Sequence, residues 1–483
     1  MDPKIISWYV GVSLLMVAAL MTVSGLIAVF TPGDDSVVPL LYSAFVTMIA
    51  GAFPLIFVRR GKHQLTAGEG NCIVVLAWVT ACLFGSLPFM LYGKQFTPVG
   101  ALFESVSGFT TTGASILTDI EALPNGIQFW RIATSWVGGM GIVTLFAMIA
   151  FRGKDRNLLF GSEISTVARQ TVSGERTGFF AYRMLVTYLV LTLSTFVALR
   201  FAGMDRFDAI INAMSACCTC GFSSRSASIA GWNNPAAEVV LTFAMMAAGI
   251  NFVYVYLTFV RGSYIHVLKS EVARTFIFLV ALATVAITAD LAFHEGGFSL
   301  STLRRAGFQA VSISTTTGFA TEDTTTWPPL SMAILLVCSV ICGCSGSTSG
   351  GIKIDRVLLA VKGVRERIVQ AMHPGRMVSV KVDGNTRPDD QVNEVFAYIF
   401  CYNLVIILFS LINMAGGLSP ETGFTASIAC IGNVGPGFGA VGSMANYASV
   451  PDGLKFTCML EMLLGRLEIF PMLSLFASFR RRG

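Results

Sequence analysis

Four short stretches of this chain place a threonine or an asparagine two residues before a glycine, each within largely apolar sequence. The stretches recur about every 100 residues, so the chain is organised as four large units of similar length. The residues of the four stretches are Thr111, Thr112, Gly113, Thr219, Cys220, Gly221, Thr316, Thr317, Gly318, Asn433, Val434 and Gly435.

A turn of this type could hold a cation if it lies inside a membrane. Glycine lets the backbone adopt a positive φ and turn its carbonyl oxygen inward. Irregular backbone at membrane depth is tolerated only where protein buries it or where it lines a wet cavity. Four such turns around one axis would give a ring of carbonyls that replaces the hydration shell of a cation. One copy alone would be explained as a glycine turn between helices, but four copies favour a cation site.

A run of small and polar residues at 342–351 interrupts an apolar segment that starts at Pro329. The 13 residues of 329–341 form about 20 Å of helix at ~1.5 Å per residue, and the hydrocarbon core is ~30 Å thick. The interruption therefore lies at membrane depth, either as a flexible packing seam or as a gate. No Gly-Lys-Ser/Thr sequence follows it, which disfavours a phosphate-binding loop. A gate here would consist of Gly343, Ser345, Gly346, Ser347, Thr348, Ser349, Gly350 and Gly351, and the family resemblance given below favours a gate over a seam.

Arg466 lies near the middle of a long apolar segment, 454–479, and completes the predicted gate. A central arginine cannot snorkel to either interface, and inserting it costs ~2.5–3.5 kcal/mol. Glu461 and Glu468 are poorly spaced for pairing with it on one helix face. One interpretation is a buried ion pair with an acid from another helix. We favour the other, a guanidinium that faces the pore just below the cation site, hinders cations and anchors the 342–351 stretch.

Composition indicates a polytopic membrane protein and excludes a soluble globular one. The chain has 483 residues, of which 54% are hydrophobic and only 13% charged. No cleavable signal peptide is evident, because the first apolar stretch is long enough to span. The net charge of +5 reflects topology, so no nucleic-acid partner is expected. The eleven cysteines are interpreted as reduced packing residues, since adjacent thiols without histidine make a poor zinc site.

The hydropathy pattern predicts an all-α polytopic fold with ten membrane-spanning segments. They are Ile5–Phe30, Val37–Val58, Asn71–Leu91, Phe129–Phe151, Phe179–Phe201, Pro235–Val260, Val272–Phe293, Pro329–Lys362 with its interruption, Val392–Met414 and Leu454–Phe479. Between the members of each later pair lies a shorter segment that ends in one of the four turns. It is too short to span and is predicted to be a re-entrant pore helix.

Charge predicts the orientation of the chain in the membrane. Five loops, at 59–69, 152–178, 261–274, 353–391 and 480–482, hold 22 of the 33 lysines and arginines. Positive loops stay in the cytoplasm, so both termini are expected there and the four turns are expected to open outward. Acidic residues of the opposite loops either concentrate cations at the entrance or are ordinary solvated charges. The largest basic loop is expected to contact anionic lipid or a cytosolic partner.

The four units, each a helix, a pore helix and a second helix, resemble those of the Trk/Ktr/HKT superfamily of cation transporters. The resemblance rests on Thr-Thr-Thr-Gly-Ala-Ser, Thr-Cys-Gly-Phe-Ser, Thr-Thr-Thr-Gly-Phe-Ala and Gly-Asn-Val-Gly-Pro-Gly, and it covers nearly the whole chain. Two extra N-terminal helices and the Gly-Arg-Leu-Glu sequence at 465–468 resemble the bacterial TrkH-type potassium uptake subunits. The implied division is an N-terminal helix pair at 1–66 and pore repeats at 67–152, 153–262, 263–371 and 372–483, arranged with pseudo-fourfold symmetry around one pore.

The resemblance implies a function, a location and partners. These are potassium uptake across the bacterial inner membrane, a homodimer with one pore per subunit, and a cytosolic TrkA-type regulatory subunit with nucleotide-binding domains. Potassium would be held by backbone carbonyls of the filter residues, with no covalent cofactor. In this family a serine at one filter glycine accompanies sodium transport in some plant members, so four glycines resemble the potassium-preferring form. Asn433 departs from the pattern and leaves the contribution of the fourth turn open.

Three classes of function are compatible with a polytopic membrane protein. A cation-conducting pore explains the four turns and the interrupted helix. A proton- or sodium-coupled potassium transporter would usually carry acids or histidines within the membrane, and the four histidines lie in loops or at helix ends. A membrane enzyme would need a nucleophile–base pair or a metal constellation, and the sequence offers none. We expect a pore rather than an enzyme.

Overall fold

The computed structural model describes residues 2–58, 65–142, 144, 177–259, 262, 265–373 and 379–472. Within these ranges the regular secondary structure is helical apart from one two-stranded hairpin, β1 (Lys381–Val382) and β2 (Asn385–Thr386), and turns and loops connect the elements. The helices are α1 (Pro3–Phe30), α2 (Val37–Phe57), α3 (Ala67–Gly85), α4 (Leu87–Tyr92), α5 (Pro98–Phe109), α6 (Asn125–Met140), α7 (Thr177–Phe201), α8 (Arg206–Cys218), α9 (Pro235–Gly249), α10 (Phe252–Phe259), α11 (Ile265–Lys269), α12 (Glu271–Glu295), α13 (Leu300–Ser314), α14 (Pro329–Ile341), α15 (Ile354–Met372), α16 (Asp389–Ala415), α17 (Pro420–Ile431) and α18 (Asp452–Arg466).

Helices α1 and α2 form the predicted N-terminal pair and cross at two glycines. A Cβ at Gly11 would lie 2.6 Å from the carbonyl oxygen of Gly51, and a Cβ at Gly51 would lie 2.9 Å from that of Gly11. Such close approach of small residues is how helices pack in lipid, where the hydrophobic effect no longer drives association. Helix α1 also packs on α3 and α6, which attaches the pair to the first repeat.

Each of the four repeats contains a long helix, a short pore helix and a second helix. The pore helices α5, α8, α13 and α17 have 12, 13, 15 and 12 residues, about 18–23 Å at ~1.5 Å per residue, which is too short to span. Each begins at a polar side chain that accepts a backbone hydrogen bond in the first turn, a normal N-cap. These caps are Thr97, Asp205, Ser299 and Ser419.

Fewer uninterrupted spans are present than the sequence predicts. Within the described residues, six helices are long and apolar enough to cross a membrane, and one further pair qualifies if its two bent halves form one span. The six are Pro3–Phe30, Val37–Phe57, Gly68–Tyr92, Tyr182–Phe201, Glu271–Glu295 and Asp389–Ala415. The remaining predicted spans are the second helices of the repeats.

All four second helices break, although the sequence analysis predicted only the break in the third. Helix α6 ends before Gly141, which has φ 86°, so a continuous helix over 129–151 is wrong as far as the described residues reach. Helices α9 and α10 meet at 120°, so the helix predicted over 235–260 is wrong. Helix α18 ends at Arg466, and Glu468 follows with φ 61°. The continuous helix predicted over 454–479 is therefore wrong too, and its end at 473–479 lies outside the described residues.

Close packing explains two of these breaks. A Cβ at Gly138 would collide with the carbonyl of Phe109 at the end of the first pore helix, and a Cβ at Gly465 would collide with that of Ile431 at the end of the fourth. The glycines let the second helix pass directly beside the C-terminus of its own pore helix. The chain then turns away within three residues in both repeats.

A two-stranded hairpin lies between the predicted third repeat and the first long helix of the fourth. The turn between β1 and β2 is Asp383-Gly384, with φ 51° and 77°, as expected of a two-residue hairpin turn with positive φ at both positions. Asp383 accepts hydrogen bonds from Ser270 and from the backbone amide of Glu271, which caps the start of α12. Most of the basic loops at 59–69, 152–178 and 480–482 lie outside the described residues. The boundaries of the four repeats stay a prediction.

Candidate functional site

The four predicted filter turns share one backbone conformation. The first residue of each lies in the left-handed region, with φ of 55° at Thr111, 54° at Thr219, 57° at Thr316 and 52° at Asn433. The glycine two residues later also has positive φ: 77° at Gly113, 85° at Gly221, 77° at Gly318 and 95° at Gly435. Because β-branched residues rarely adopt a left-handed conformation, three threonines at equivalent positions mark a locally strained site.

The four turns close into one ring. A Cβ at Gly113 would collide with the carbonyl oxygen of Cys220, one at Gly221 with that of Thr317, and one at Gly318 with that of Val434. A Cβ at Gly435 would collide with the carbonyl oxygen of Thr112, which returns to the first repeat. Each glycine therefore lies against the backbone of the next repeat. A side chain at any of these positions would push the neighbouring carbonyl away.

Each turn is held by the last residues of its pore helix. The amide of the middle filter residue donates to a pore-helix carbonyl, at 2.9 Å for Thr112 to Ser107, 3.2 Å for Cys220 to Ser215, 2.8 Å for Thr317 to Ser312 and 2.9 Å for Val434 to Ala429. These bonds use the amides of the turns and leave their carbonyls as the groups available to a ligand. The helix C-termini, with their partial negative charge, meet at the same ring.

Side chains around the ring are less symmetric than the backbone. In repeats one and three, neighbouring threonine hydroxyls lie 2.8 Å apart, in the pairs Thr110–Thr112 and Thr315–Thr317. In repeat two, the Cys220 thiol lies 3.1 Å from the hydroxyl of Ser135. The backbone of the ring is therefore fourfold symmetric. Its side-chain contacts are the same only in the first and third repeats.

The fourth turn differs from the others in two contacts. The Asn433 amide donates to Thr112 Oγ1 at 3.0 Å and to the carbonyl of Met462 at 2.9 Å, so it joins the first filter to the fourth second helix. The hydroxyl of Tyr447 donates to the carbonyl of Gly435 at 3.0 Å. A filter carbonyl that accepts this bond has less electron density to offer a cation. No motif in the sequence points to this tyrosine, which lies 12 residues from the glycine it contacts.

The 342–351 stretch lies against the pore-helix ends of the ring. Thr348 donates to the carbonyl of Cys217 at 3.1 Å, and Ser349 donates to the carbonyl of Thr315 at 3.1 Å. The amide of Gly350 donates to Thr316 Oγ1 at 2.9 Å. Polar groups of the stretch thus occupy the carbonyls and the hydroxyl that face it from two filters. The 342–351 stretch therefore lies beside the predicted filter turns, and its role as a gate stays a prediction.

The 342–351 stretch is also held by hydrogen bonds to the residues at the break between α9 and α10. The amide of Cys344 donates to the Gly249 carbonyl at 2.9 Å, the side-chain amide of Asn251 donates to the Ser345 carbonyl at 2.8 Å, and the amide of Phe252 donates to the Gly346 carbonyl at 2.9 Å. Asn251 is the functional residue that sequence reasoning missed here. Its signal was Gly-Ile-Asn inside an apolar segment, a helix-breaking pattern that the length of the segment concealed.

Arg466 joins the loop to the first repeat. Its guanidinium donates to the carbonyl of Thr348 at 2.9 Å and to those of Gly138 and Gly139 at 2.6 and 2.9 Å. The predicted position in the middle of a continuous helix is wrong, because α18 ends at this residue. The predicted anchoring of the 342–351 stretch agrees with the Thr348 contact. The other acceptors are the carbonyls of Gly138 and Gly139 at the end of α6. The sequence analysis did not predict them because it treated α6 as a continuous helix.

An ion pair directly after the 342–351 stretch joins the start of α15 to the end of α18. The Arg356 guanidinium contacts the Glu468 carboxylate at 2.7 Å and stacks over the ring of Tyr398 at 3.9 Å. Arg356 lies in the first turn of α15, Glu468 directly after α18 and Tyr398 in α16. Movement of α15 relative to the fourth repeat would have to break this pair.

One fully buried ion pair supports the ring between the first two repeats. Arg131 contacts the carboxylate of Glu104 at 2.5 Å and donates to the carbonyl of Ser223 at 3.1 Å. Glu104 also accepts from Ser115 Oγ and from the amide of Ile116. The segments after the first and second filters are therefore held by one network.

Charged loop residues tie the repeats together beyond the filter. Burial raises the pKa of Glu322, although the neighbouring Arg305 guanidinium, at 3.1 Å, opposes this shift. Burial also acts to raise the pKa of Glu121, but hydrogen bonds from the hydroxyl and the amide of Ser226 outweigh it and lower that pKa. These acids, predicted either to attract cations or to be solvated, instead contact neighbouring side chains and backbone.

Comparisons with known proteins agree with this architecture. A family model described as a cation transport protein, TrkH, matches residues 40–480. The chain is 33% identical over 478 residues to the Trk system potassium uptake protein TrkH of Salmonella typhimurium, covering 98% of both chains. It is 34% identical over 473 residues to the protein of the same name from Vibrio parahaemolyticus, covering 96% of both. The crystal structure of the potassium transporter TrkH from Vibrio parahaemolyticus matches with a TM-score of 0.88 and 32% identity, over 98% of both chains.

Proposed function

This chain belongs to the TrkH family of cation transport proteins, and we propose that it is the potassium-translocating membrane subunit of a Trk-type uptake system. Potassium passes through the ring formed by the four filter turns, and the backbone carbonyls of those turns replace part of its hydration shell. The protein works as a transporter and not as an enzyme.

The observation that carries this proposal is that each filter glycine packs against a backbone carbonyl of the next repeat, so that the four contacts close a ring. Such a ring requires a hydrogen-only side chain at Gly113, Gly221, Gly318 and Gly435, and all four residues are glycine. Carbonyl oxygens are hard, neutral ligands that suit an alkali cation. One shared glycine per repeat gives few stacked carbonyl rings, so discrimination between potassium and sodium is expected to be weaker than in a filter with several.

The 342–351 stretch acts as the gate in this proposal. Its hydroxyls cover pore-helix carbonyls that a hydrated cation would otherwise contact, and Arg466 places a fixed positive charge beside them. The conformation described is therefore closed. Opening requires release of the Arg466–Thr348 contact and movement of α15, and that movement breaks the Arg356–Glu468 pair.

The proposal extends to location and partners. We propose that the chain lies in the bacterial inner membrane with both termini in the cytoplasm and forms a homodimer with one pore per subunit. A TrkA-type regulatory subunit with nucleotide-binding domains is proposed to dock on the cytoplasmic side, on α15, which directly follows the 342–351 stretch. The basic residues of this side also contact anionic lipid.

Radioactive rubidium counterflow in proteoliposomes tests the proposed function. Purified protein is expected to exchange rubidium for internal potassium, and external potassium is expected to compete more strongly than external sodium. The rubidium flux is expected to be unchanged by an imposed proton gradient, because a pore lets the cation move down its own gradient without coupling that movement to protons. Absence of exchange, or equal competition by sodium, would contradict the proposal.

The second candidate function is potassium transport coupled to protons or sodium. It would be favoured if rubidium accumulated against its gradient when a proton or sodium gradient was imposed. Glu104 and Glu461 are the two most deeply buried acids of the described residues and the first that such a mechanism would call on, but Glu104 is already ion-paired with Arg131.

A further inference from the structure

Three metal-ligating side chains converge behind the fourth filter. Cys430 lies near the end of pore helix α17, and Cys458 and Glu461 lie one turn apart on α18. One ligand atom from each, the two Sγ atoms and a carboxylate oxygen, lie within 4.8 Å of one another. All three residues are fully buried. Together they form the one such group of three in the described part of the chain.

The carboxylate of Glu461 is incompletely satisfied in this cluster. One oxygen is close to the hydroxyl of Ser427. The other, Oε2, is buried and makes no hydrogen bond of normal length and angle, although the side chain of Asn413 lies beside the carboxylate. A buried carboxylate oxygen that is so weakly satisfied is costly, and its place beside two thiols suits it as a metal ligand.

We propose that Cys430, Cys458 and Glu461 form a binding site for a thiophilic divalent cation of the Zn²⁺ or Cd²⁺ class. Each thiol gives up its proton and binds the metal as a thiolate, and Glu461 supplies a carboxylate oxygen. The Ser427 hydroxyl or a water completes a tetrahedron. With bonds of about 2.3 Å to sulfur, the ligand atoms of a tetrahedron are about 3.8 Å apart, so binding needs a contraction of about 1 Å at most. Thiolate ligands select these metals over magnesium, calcium or potassium.

The site is connected to the filter through one side chain. The Tyr447 hydroxyl lies 3.9 Å from Cys430 Sγ and donates to the carbonyl of Gly435 at 3.0 Å. When the thiol becomes a metal-bound thiolate, it becomes a better acceptor and competes for the tyrosine proton. The Gly435 carbonyl then loses its hydrogen bond and the fourth filter turn is perturbed. This consequence, slower potassium passage, rests on the proposed function, whereas metal binding itself does not.

Cadmium binding to the purified full chain in detergent tests the site. Bound metal per chain and the thiolate-to-cadmium charge-transfer absorption are measured for the intact protein and for Cys430→Ser/Cys458→Ser. The matched control, Cys72→Ser/Cys82→Ser, removes two buried thiols of α3 that are not part of the site. One cadmium per chain is expected in the intact protein and in the control, and none in the site variant. Glu461→Gln is expected to weaken binding by about tenfold or more.

A measurement on the unmodified protein keeps the test independent of variant folding. Binding of each cadmium should release at least two protons into an unbuffered solution, one from each thiol. The proposal is overturned if the intact protein binds no more cadmium than Cys430→Ser/Cys458→Ser, or if binding releases no protons.

Rubidium flux tests the connection to the filter separately. Cadmium is expected to slow flux through the intact protein and the Cys72→Ser/Cys82→Ser control, and to leave the site variant unaffected. Equal slowing of all three proteins would overturn the connection. If none of the proteins exchanges rubidium even without cadmium, the proposed function fails, and the binding measurements still decide the metal site.

Discussion

Three threonines and one asparagine at the filter hold a left-handed backbone conformation that is normally left to glycine. Such a conformation costs roughly 1–2 kcal/mol at a non-glycine residue, and it persists because the pore-helix hydrogen bonds on either side fix it. The glycine that follows faces a different constraint, since its missing side chain leaves room for the carbonyl of the neighbouring repeat. In each repeat, the strained backbone and the contact with the next repeat therefore lie within the same three-residue filter turn.

Serine at a filter glycine tests that constraint. In Gly113→Ser the new Cβ would displace the Cys220 carbonyl, so potassium should lose preference over sodium by about tenfold, equivalent to ~1.4 kcal/mol. Competition of sodium with rubidium uptake measures this loss. Gly203→Ser is the matched control, because Gly203 also has positive φ, at 90°, but open space around its Cβ position. Unchanged competition in serine variants at all four filter positions would show that the ring does not select.

Substitution of Arg466 tests the charge at the gate. Arg466→Gln removes charge-assisted hydrogen bonds to Thr348, Gly138 and Gly139, and loss of about 1.5 kcal/mol from even one of them should raise rubidium flux about tenfold. Arg466→Lys keeps the positive charge and should stay near the flux of the intact protein. Reduced flux in Arg466→Gln at normal membrane abundance would show that the arginine supports the fold rather than a barrier.

At the scale of elements, the sequence predicted the long first helices, the pore helices and the third break, because length, apolarity and ten small polar residues leave a clear pattern. It did not predict the breaks after Met140, Gly249 and Arg466. Each consists of one or two described residues inside an apolar segment of spanning length. The cause of the first and the last is tertiary: the second helix passes a pore-helix carbonyl at Gly138 or Gly465 and then meets the 342–351 stretch.

The contacts of the 342–351 stretch with the pore helices can be removed without changing the length of the stretch. Thr348→Ala/Ser349→Ala removes the hydroxyls that contact the Cys217 and Thr315 carbonyls but no contact of the filter backbone. Rubidium flux is expected to rise several-fold, since two hydrogen bonds of about 1 kcal/mol each are lost, while competition by sodium stays the same. Deletion of part of 342–351 should raise flux further and weaken dependence on the regulatory subunit. If both variants reach the membrane and conduct no faster than the intact protein, the stretch is a packing seam.

At the scale of the whole molecule, the four repeats form one ring because contacts between distant parts of the sequence close it. Composition and the repeated turns predicted that ring, but they could not identify the side chains that join the repeats. Glu104 and Arg131 were not singled out, since a buried pair 27 residues apart leaves no periodic pattern. Asn433 was recognised as a departure from the repeated turn, but its contact with Thr112, 321 residues away, could not be identified from the sequence.

The buried Glu104–Arg131 pair should be required for stability of the assembled ring rather than for ion binding. Arg131→Met leaves the Glu104 carboxylate unpaired, and removing one partner of a buried pair typically costs about 3–5 kcal/mol. Glu104→Gln/Arg131→Met removes the stranded charge, and the amide oxygen can still accept from Ser115 and Ile116, so this double variant should be the more stable of the two. Thermal denaturation midpoints in detergent measure the order, with Gly203→Ser as the reference for an uninvolved position. A double variant that unfolds at or below the midpoint of Arg131→Met would mean that the two side chains act independently, and that hydrogen bonds to the segments after the filters, not their mutual charge, hold the first two repeats together.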